Sequence, residues 1–197
     1  MPFNPYQLAS LAALLALATG CRHNDPAPRA DYSFSRHFHT LDGVVPAQSE
    51  RAEHPSNTIQ AAAELTEAGL ELRFYPPANQ EELTLHVPSD KLKPGLVGDY
   101  SADEDGAPRT TCKTYYVYRF DAPPFTQERL YTNRVPVSYS PSGTLHITKY
   151  DARRKLLSGT YDLSFAFIPD PKGPTSSGLV TWRLDLEGKF DNMVVRP

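Results

Sequence analysis

An alternation of apolar and polar residues near the end of the chain places the strongest constraint on the fold. In the segment Leu179 to Asp191, every second residue from position 180 onward is apolar or glycine, and the residues between them are polar or charged. The apolar row consists of Val180, Trp182, Leu184, Leu186, Gly188 and Phe190. A period of two sorts side chains onto opposite faces of a β-strand, whereas a helix would mix the two sets. The segment is therefore predicted to be a strand with one face on the core and one in solvent.

A second alternating segment, Lys155 to Ile168, is predicted to form a hairpin with Gly143 to Tyr150. The mainly polar connection 151–155 between the two segments has the length of a hairpin connection. The row of the second segment expected to face the core consists of Leu157, Gly159, Tyr161, Leu163, Phe165 and Phe167.

Shorter stretches upstream also favour strands, because alternating apolar residues are bounded there by turn residues. The predicted strands are Tyr32 to His39, Thr58 to Leu65, Gly69 to Tyr75, Glu82 to Val87, Cys112 to Phe120 and Arg129 to Tyr139. Pro136 makes the last of these an edge strand or a bulge. Long loops are expected at Ser89 to Thr111 and at Pro169 to Gly178.

These signals together predict an all-β fold. The 19 prolines interrupt the gaps between the strands, and no helical pattern of useful length survives between them. The chain of 197 residues has the length of one domain. We therefore expect a single-domain antiparallel β-sandwich or small β-barrel of about 8–10 strands.

The N-terminal segment resembles a bacterial lipoprotein signal peptide. The apolar run Leu8 to Leu17 (LASLAALLAL) is followed by Ala18, Thr19, Gly20 and Cys21. The run is about ten residues long, shorter than the roughly 20 that a membrane-spanning helix needs. A buried N-terminal helix is the alternative interpretation. The resemblance implies cleavage before Cys21 and a lipid on its thiol, which would anchor the chain in a membrane.

This interpretation divides the chain into a signal peptide (1–20), a lipidated tether (21–31) and a β-domain (32–197). Arg22, which follows the cysteine, is not a typical residue for retention in the inner membrane. We therefore expect the outer membrane of a bacterial cell envelope, with the chain facing either the periplasm or the cell surface.

Three motifs in the C-terminal part carry a family resemblance. They are LHITKYD (145–151), LSGTYDLSF (157–165) and LEGKFD (186–191), and they span about 50 residues. The chain resembles small uncharacterised lipoproteins of Gram-negative envelopes, whose pattern is I-T-x-x-D, S-G-T-F/Y and G-x-F-D. The resemblance implies lipidation and β-architecture, and it implies no catalytic residue. Locally, Gly159 and Gly188 are interpreted as sites of close packing or of a bulge, and Asp151 as a turn residue.

Composition and motifs exclude several function classes. The formal net charge of -3 gives no broad basic surface, so no nucleic-acid partner is expected. The sequence contains no G-x-S-x-G elbow, P-loop, dinucleotide-binding glycine motif, H-E-x-x-H or C-x-x-C. We therefore predict a protein that is not an enzyme, with no catalytic residue and no cofactor.

Two histidines are the best metal-ligating residues in the sequence. His37 and His39 occupy alternate positions of a strand, so both imidazoles lie on one face. A metal ion would need a further ligand, which His54, His86 or His146 could supply only through the fold. Two histidines on a solvated face explain the pattern as well, and no metal site is assigned from the sequence.

An acidic run offers the alternative of a calcium site. Asp99, Asp103, Glu104 and Asp105 precede Gly106, but the spacing of an EF-hand loop and its final glutamate are missing. A solvated acidic loop is the favoured interpretation.

The aromatic strand around residue 116 carries the candidate ligand-facing residues. Tyr116 and Tyr118 share one face of this strand, and with Trp182 they could line a cavity. The alternative is an ordinary central strand of the core. Cys112, at the start of the same stretch, is interpreted as a small buried residue rather than a reactive thiol.

The function expected from these features is a lipid-anchored, non-catalytic binding or interaction module. Its partner would be a protein, a glycan or a small apolar ligand. The alternatives are a lipocalin-like carrier and, third, an envelope hydrolase. A cavity lined by the aromatic residues would favour the carrier, whereas a buried carboxylate beside a histidine in a cleft would favour the hydrolase.

Overall fold

The computed structural model describes residues 28–41, 47–76, 80–103, 110–134, 139–173 and 182–197. These residues form eleven strands and two single 3-10 turns, which confirms the all-β prediction. The number of strands exceeds the predicted 8–10 by one. The strands are β1 (Asp31–Thr40), β2 (Ser49–Pro55), β3 (Gln60–Thr66), β4 (Gly69–Tyr75), β5 (Glu81–Pro88), β6 (Gly98–Ser101), β7 (Lys113–Ala122), β8 (Phe125–Thr132), β9 (Ser140–Asp151), β10 (Leu156–Ile168) and β11 (Trp182–Arg196). Within these ranges, no helix has the length and apolar character needed to cross a membrane.

The strands form one curled sheet that has the shape of a half-barrel. Its order is β6-β9-β10-β11-β3-β4-β5-β7-β8, and β1 joins it by pairing with β11 and β2. The long strand β11 connects the two parts of the sheet. Residues 182–191 pair with β1, and the far end pairs in parallel with β3 through Val195 and Arg196. The other strand pairs are antiparallel.

The hairpin of β9 and β10 is confirmed. The Asp151 carboxylate accepts hydrogen bonds from the backbone N–H groups of Arg153 and Arg154, both at 3.0 Å. Lys155 closes the turn in the left-handed backbone region, with a φ of 53°. Asp151 therefore has the turn role that its position predicts.

One residue of the predicted core row in β10 lies outside the core. Phe167 is 51% exposed, whereas Ile168 is fully buried. The pairing with β11 shifts register between Ala166 and Ile168, and Phe167 has a φ of 63°. This bulge adds one residue to the strand and reverses the faces beyond it, so the strict alternation overestimated the burial of Phe167.

Two strands were missed by sequence analysis. The predicted loop Ser89 to Thr111 contains the four-residue strand β6. Strand β2 has the sequence SERAEHP, which lacks an apolar row because it pairs only with β1 among the described strands. Short or polar strands at a sheet edge carry little periodic signal.

The predicted strand Arg129 to Tyr139 was placed too late in the chain, because the strand observed there, β8, covers Phe125–Thr132. Strand β8 ends at Thr132, and its first four residues are exposed, which hides their β-pattern. Pro136 lies outside the described residues, as does the end of the predicted loop from position 174 to 178.

The buried apolar side chains form one core cluster on one face of the curled sheet, and the opposite face is the outer face. Trp182, Leu184, Leu186 and Phe190 of β11 are all buried, which confirms the face assigned from their alternation, and Val180 lies outside the described residues. Cys112 is also fully buried, as predicted, and its thiol forms no disulfide.

Candidate functional site

A charged residue lies on the core-facing side of the first strand. Phe34, Arg36 and Phe38 alternate along β1, and Arg36 is only 5% exposed. The β-period therefore directs a guanidinium into the core between two phenylalanines. A buried charge at this position requires partners of opposite sign.

Two carboxylates from different strands supply the negative charges that the buried Arg36 requires. Nη1 of Arg36 donates to Oε1 of Glu50 on β2 at 3.0 Å. Nε of Arg36 lies 3.1 Å from Oε1 of Glu81 on β5, but the N–H is not aligned for a hydrogen bond, so this contact is an ion pair. The guanidinium also lies over the Tyr118 ring, at 4.5 Å from its centroid, which adds a cation–π contact.

The two tyrosines predicted to face a ligand belong to this buried network. The Tyr116 hydroxyl donates to Oε2 of Glu81 at 2.9 Å, and the Tyr118 hydroxyl donates to Oε1 of Glu50 at 3.3 Å. Lys172 lies beyond them, with Nζ 2.6 Å from Oε2 of Glu50. These contacts make one continuous network from the core to the surface.

The third predicted residue, Trp182, begins β11, and the hydrogen bonds and ion pairs described above for that network do not involve it. It is 8% exposed and pairs with Thr40 on one side and Ile168 on the other. The Tyr116 ring stacks on Tyr131, with 6.1 Å between centroids, and the Tyr118 ring packs 5.1 Å from Phe38. The three predicted residues are thus buried side chains, and two of them hold the charged network in place.

The pKa shifts in the network favour its charged form. Burial alone would lower the pKa of Arg36, but the groups around it, led by Tyr116 and Glu81, raise that pKa overall. Burial alone would raise the pKa of Glu50, but Lys172 and Arg36 lower it overall. Burial, together with Glu81, raises the pKa of Tyr116 well above its usual value, so this tyrosine stays a neutral donor.

Glu81 also lies beside a histidine, the pattern named above for a hydrolase. Nε2 of His54 is 3.7 Å from Oε1 of Glu81. Both oxygens of this carboxylate are already engaged, one by Arg36 and the other by Tyr116. Four surface grooves formed by the described residues are lined by other side chains. The pair is therefore suited to holding strands together rather than to proton transfer with a substrate.

The outer face of the sheet carries a polar groove of about 540 Å³. It crosses the neighbouring strands β1, β11, β10 and β9. One lining residue from each strand lies in a single cross-strand row, in the order Ser35, Glu187, Asp162 and Thr144. The remaining lining residues are Ser33, His146, Thr160, Tyr161 and Gly188. The side chains available to a ligand are therefore mainly hydroxyls, carboxylates and an imidazole.

Two like charges face each other in this groove. Asp162 and Glu187 are direct cross-strand neighbours, an arrangement that is unfavourable without a compensating partner. Within the described ranges, no ion pair joins either carboxylate to a basic side chain. The two groups are thus available as hydrogen-bond acceptors.

Only part of the predicted acidic run lies within the described residues. Asp99 of β6 pairs with Nδ1 of His146 on β9, at one end of the polar groove. Asp103 accepts a hydrogen bond from Thr110 through its backbone oxygen. Residues 104–106 lie outside the described residues, so the predicted solvated loop stays a prediction.

The histidines predicted as metal ligands do lie together. His37 and His39 are on the outer face of β1, with 4.5 Å between their ring centroids. The residue that joins them is Asp185 of β11, and one ligand atom from each of the three lies within 4.8 Å of the others. The histidines expected to complete the set are elsewhere: His54 is beside Glu81, His86 beside Glu71 and His146 beside Asp99.

Sequence reasoning missed Arg36, Glu50, Glu81 and Lys172. A signal was present for two of them, because Arg36 shares its strand face with Phe34 and Phe38, and Glu81 precedes the apolar row of β5. A charged residue in an apolar row indicates either a strand end or a buried ion pair. No comparable signal marks Glu50 or Lys172, which lie in polar stretches.

No protein-family model, curated protein or solved structure matches this chain. Its function is therefore argued from the geometry of the described residues.

Proposed function

We propose that the protein is a lipid-anchored, non-catalytic binding module of the bacterial cell envelope. It binds a neutral or cationic glycan in the polar groove across β1, β11, β10 and β9. The observation that carries this proposal is the pair of facing carboxylates, Asp162 and Glu187, which have no basic partner among the described residues. Carboxylates form strong hydrogen bonds with hydroxyl donors, and a polyhydroxylated ligand would satisfy both of them.

The composition of the groove supports this class of ligand. Ser33, Ser35, Thr144 and Thr160 add hydroxyls that can both donate and accept hydrogen bonds. The two carboxylates disfavour an anionic ligand through like-charge repulsion. A lipid anchor at Cys21 would hold such a module at the membrane surface.

The core-facing side gives less support to the two alternatives. A lipocalin-like carrier would need Tyr116, Tyr118 and Trp182 to line a cavity, but these side chains pack in the core. A hydrolase would need its acid and base to meet a substrate, but the Glu81 carboxylate is held by Arg36 and Tyr116. The outward groove is the better supported surface for binding.

The test is a titration of the lipidated chain, in detergent, with a panel of neutral and amino-sugar oligosaccharides. Binding of at least one of them should weaken about tenfold or more in Asp162→Asn and Glu187→Gln, because each change removes a charged acceptor. Glu67→Gln, in the exposed turn after β3, is the matched control and should leave affinity unchanged.

Two outcomes would contradict the proposal. Either no oligosaccharide of the panel binds, or one binds with equal affinity to the wild type and both groove variants. Native mass spectrometry provides the comparison with the carrier. A small apolar molecule retained at one per chain would favour the lipocalin-like alternative.

A further inference from the structure

We infer that His37, His39 and Asp185 form a binding site for one divalent transition metal ion of the Zn²⁺ or Cu²⁺ class. This inference is independent of the proposed glycan binding, because the three residues are not part of the groove lining.

Strand register brings the three ligands together. His37 of β1 is directly opposite Asp185 of β11, so their Cβ atoms are close cross-strand neighbours. His39 follows two residues later on the same face of β1, and its ring is tilted by 34° to that of His37. Because backbone pairing fixes all three positions, the site needs no rearrangement of the fold.

The distances are compatible with a single ion. Bonds of about 2.1 Å to nitrogen and oxygen would place tetrahedral donor atoms about 3.4 Å apart. The present separations are within 4.8 Å, and all three side chains are partly buried rather than extended into solvent. Small side-chain rotations would therefore bring the three donor atoms to bonding distance.

Neighbouring groups already orient the ligands. Nε2 of His37 is 2.7 Å from the Ser49 hydroxyl of β2, which leaves Nδ1 as its metal-binding atom. Nε of Arg183 donates to Oδ1 of Asp185 at 2.7 Å, and Oδ2 of the same carboxylate lies 3.6 Å from Nδ1 of His39. Such outer contacts fix the orientation of metal ligands in proteins. The positive charge of Arg183 opposes a cation, so we expect a moderate affinity rather than that of a structural zinc site.

The donor set selects the metal. Two imidazoles and one carboxylate suit Zn²⁺, Cu²⁺ and related ions, whereas Mg²⁺ and Ca²⁺ prefer all-oxygen sites. Three protein ligands on a solvent-facing surface leave a coordination position for water or for a donor atom of another molecule.

The experiment is calorimetric titration with Zn²⁺ of the protein as isolated from its own envelope, carrying no histidine tag. One ion should bind per chain, and His37→Gln and His39→Gln should each weaken binding more than about tenfold. His86→Gln is the matched control, because His86 also lies near a carboxylate, at 3.9 Å from Glu71, but outside the site. Electron paramagnetic resonance of the Cu²⁺ form should show two nitrogen ligands in the wild type and one in either variant.

The inference is overturned if Zn²⁺ does not bind stoichiometrically. It is also overturned if both histidine variants bind as the wild type does, since the ion would then lie elsewhere. Thermal unfolding of the variants without metal checks that they are folded.

Discussion

The phenol ring of Tyr161 lies across Gly188, its direct cross-strand partner on β11. A Cβ atom at position 188 would overlap the ring and hydroxyl of Tyr161 and the backbone oxygen of Ser33. The glycine thus leaves room for an aromatic side chain that covers the neighbouring strand. Two of the sequence motifs, S-G-T-Y and G-x-F-D, meet at this contact.

Gly188→Ala should therefore lower the free energy of unfolding by about 1–3 kcal/mol, the usual cost of adding volume to a packed core. Urea denaturation measures this change. Gly95→Ala is a useful comparison, because a Cβ there has open space and meets only the strain of a φ of 70°. The two substitutions lower the free energy of unfolding for different reasons. Only the loss caused by Gly188→Ala should become smaller when Tyr161→Leu is also present. Full additivity of the two changes would contradict the contact.

Removal of Arg36 should be among the most destabilising substitutions. Arg36→Met leaves Glu81 buried without its charged partner, and such a change typically costs about 3–5 kcal/mol. The double variant Arg36→Met with Glu81→Gln should lose less than Arg36→Met alone, because no unpaired buried charge remains.

Arg51→Met is the control for a general effect of charge removal. Arg51 and Glu53 form an exposed pair on β2, whose loss should cost less than about 1 kcal/mol. Denaturant midpoints of the three variants give the comparison. Equal losses at positions 36 and 51 would be inconsistent with a buried network.

Stability should fall in acid partly through Glu50. Lys172 and Arg36 lower its pKa in the folded state below the ordinary 4.5. Its stabilising contribution is therefore present above pH 4.5 and is lost as the pH falls through the folded-state pKa. Thermal melts from neutral pH into this range should show a smaller acid-induced drop for Glu50→Gln than for the wild type. Glu53→Gln, an exposed neighbour on the same strand, should keep the wild-type profile.

Cys112 should be inert in the folded protein. Burial raises the pKa of its thiol to about 12, and the side chain is fully buried. Because the thiolate is the reactive species, a thiol reagent should label Cys112 only when the chain unfolds. Labelling of a Cys21→Ser chain with and without urea checks this, and rapid labelling under native conditions would argue against the burial.

The predicted lipid anchor at Cys21 can be tested by mass analysis. Mass analysis of the protein from its own envelope should show loss of residues 1–20 and acyl mass on Cys21. A Cys21→Ser chain should lack the acyl mass and should leave the membrane fraction. An intact N-terminus would remove the basis for the expected localisation.

The strands with the clearest alternation were predicted closely. The hairpin of β9 and β10 and the buried row of β11 follow from residues a few positions apart, because side-chain direction in a strand is a local property. The failures have physical causes. Phe167 was predicted to be buried but is exposed, because a bulge places its side chain on the outer face of the strand. Strand β2 was missed because an edge strand needs no apolar row.

The candidate sites were less accessible to sequence reasoning. The alternation that placed His37 and His39 on one face was correct, but the third group proved to be Asp185 rather than a histidine. Nothing in the sequence states that β1 pairs with β11 in the register that brings them together. Tyr116 and Tyr118 were identified as notable, but their hydroxyls meet Glu81 and Glu50 only through contacts between residues that are far apart in the sequence.

The sequence by itself determined that this chain forms strands, and it determined which side chains of the clearest strands face the core, because a period of two is encoded within each segment. Only the tertiary structure decided which strands are neighbours and in what register. Strand pairing brings His37 of β1 opposite Asp185 of β11, and packing across the core brings Arg36 of β1 to Glu81 of β5, although the partners are far apart in the chain. Charge neutralisation and ligand geometry depend on those pairings, so the candidate sites emerged from the assembled sheet rather than from any single segment.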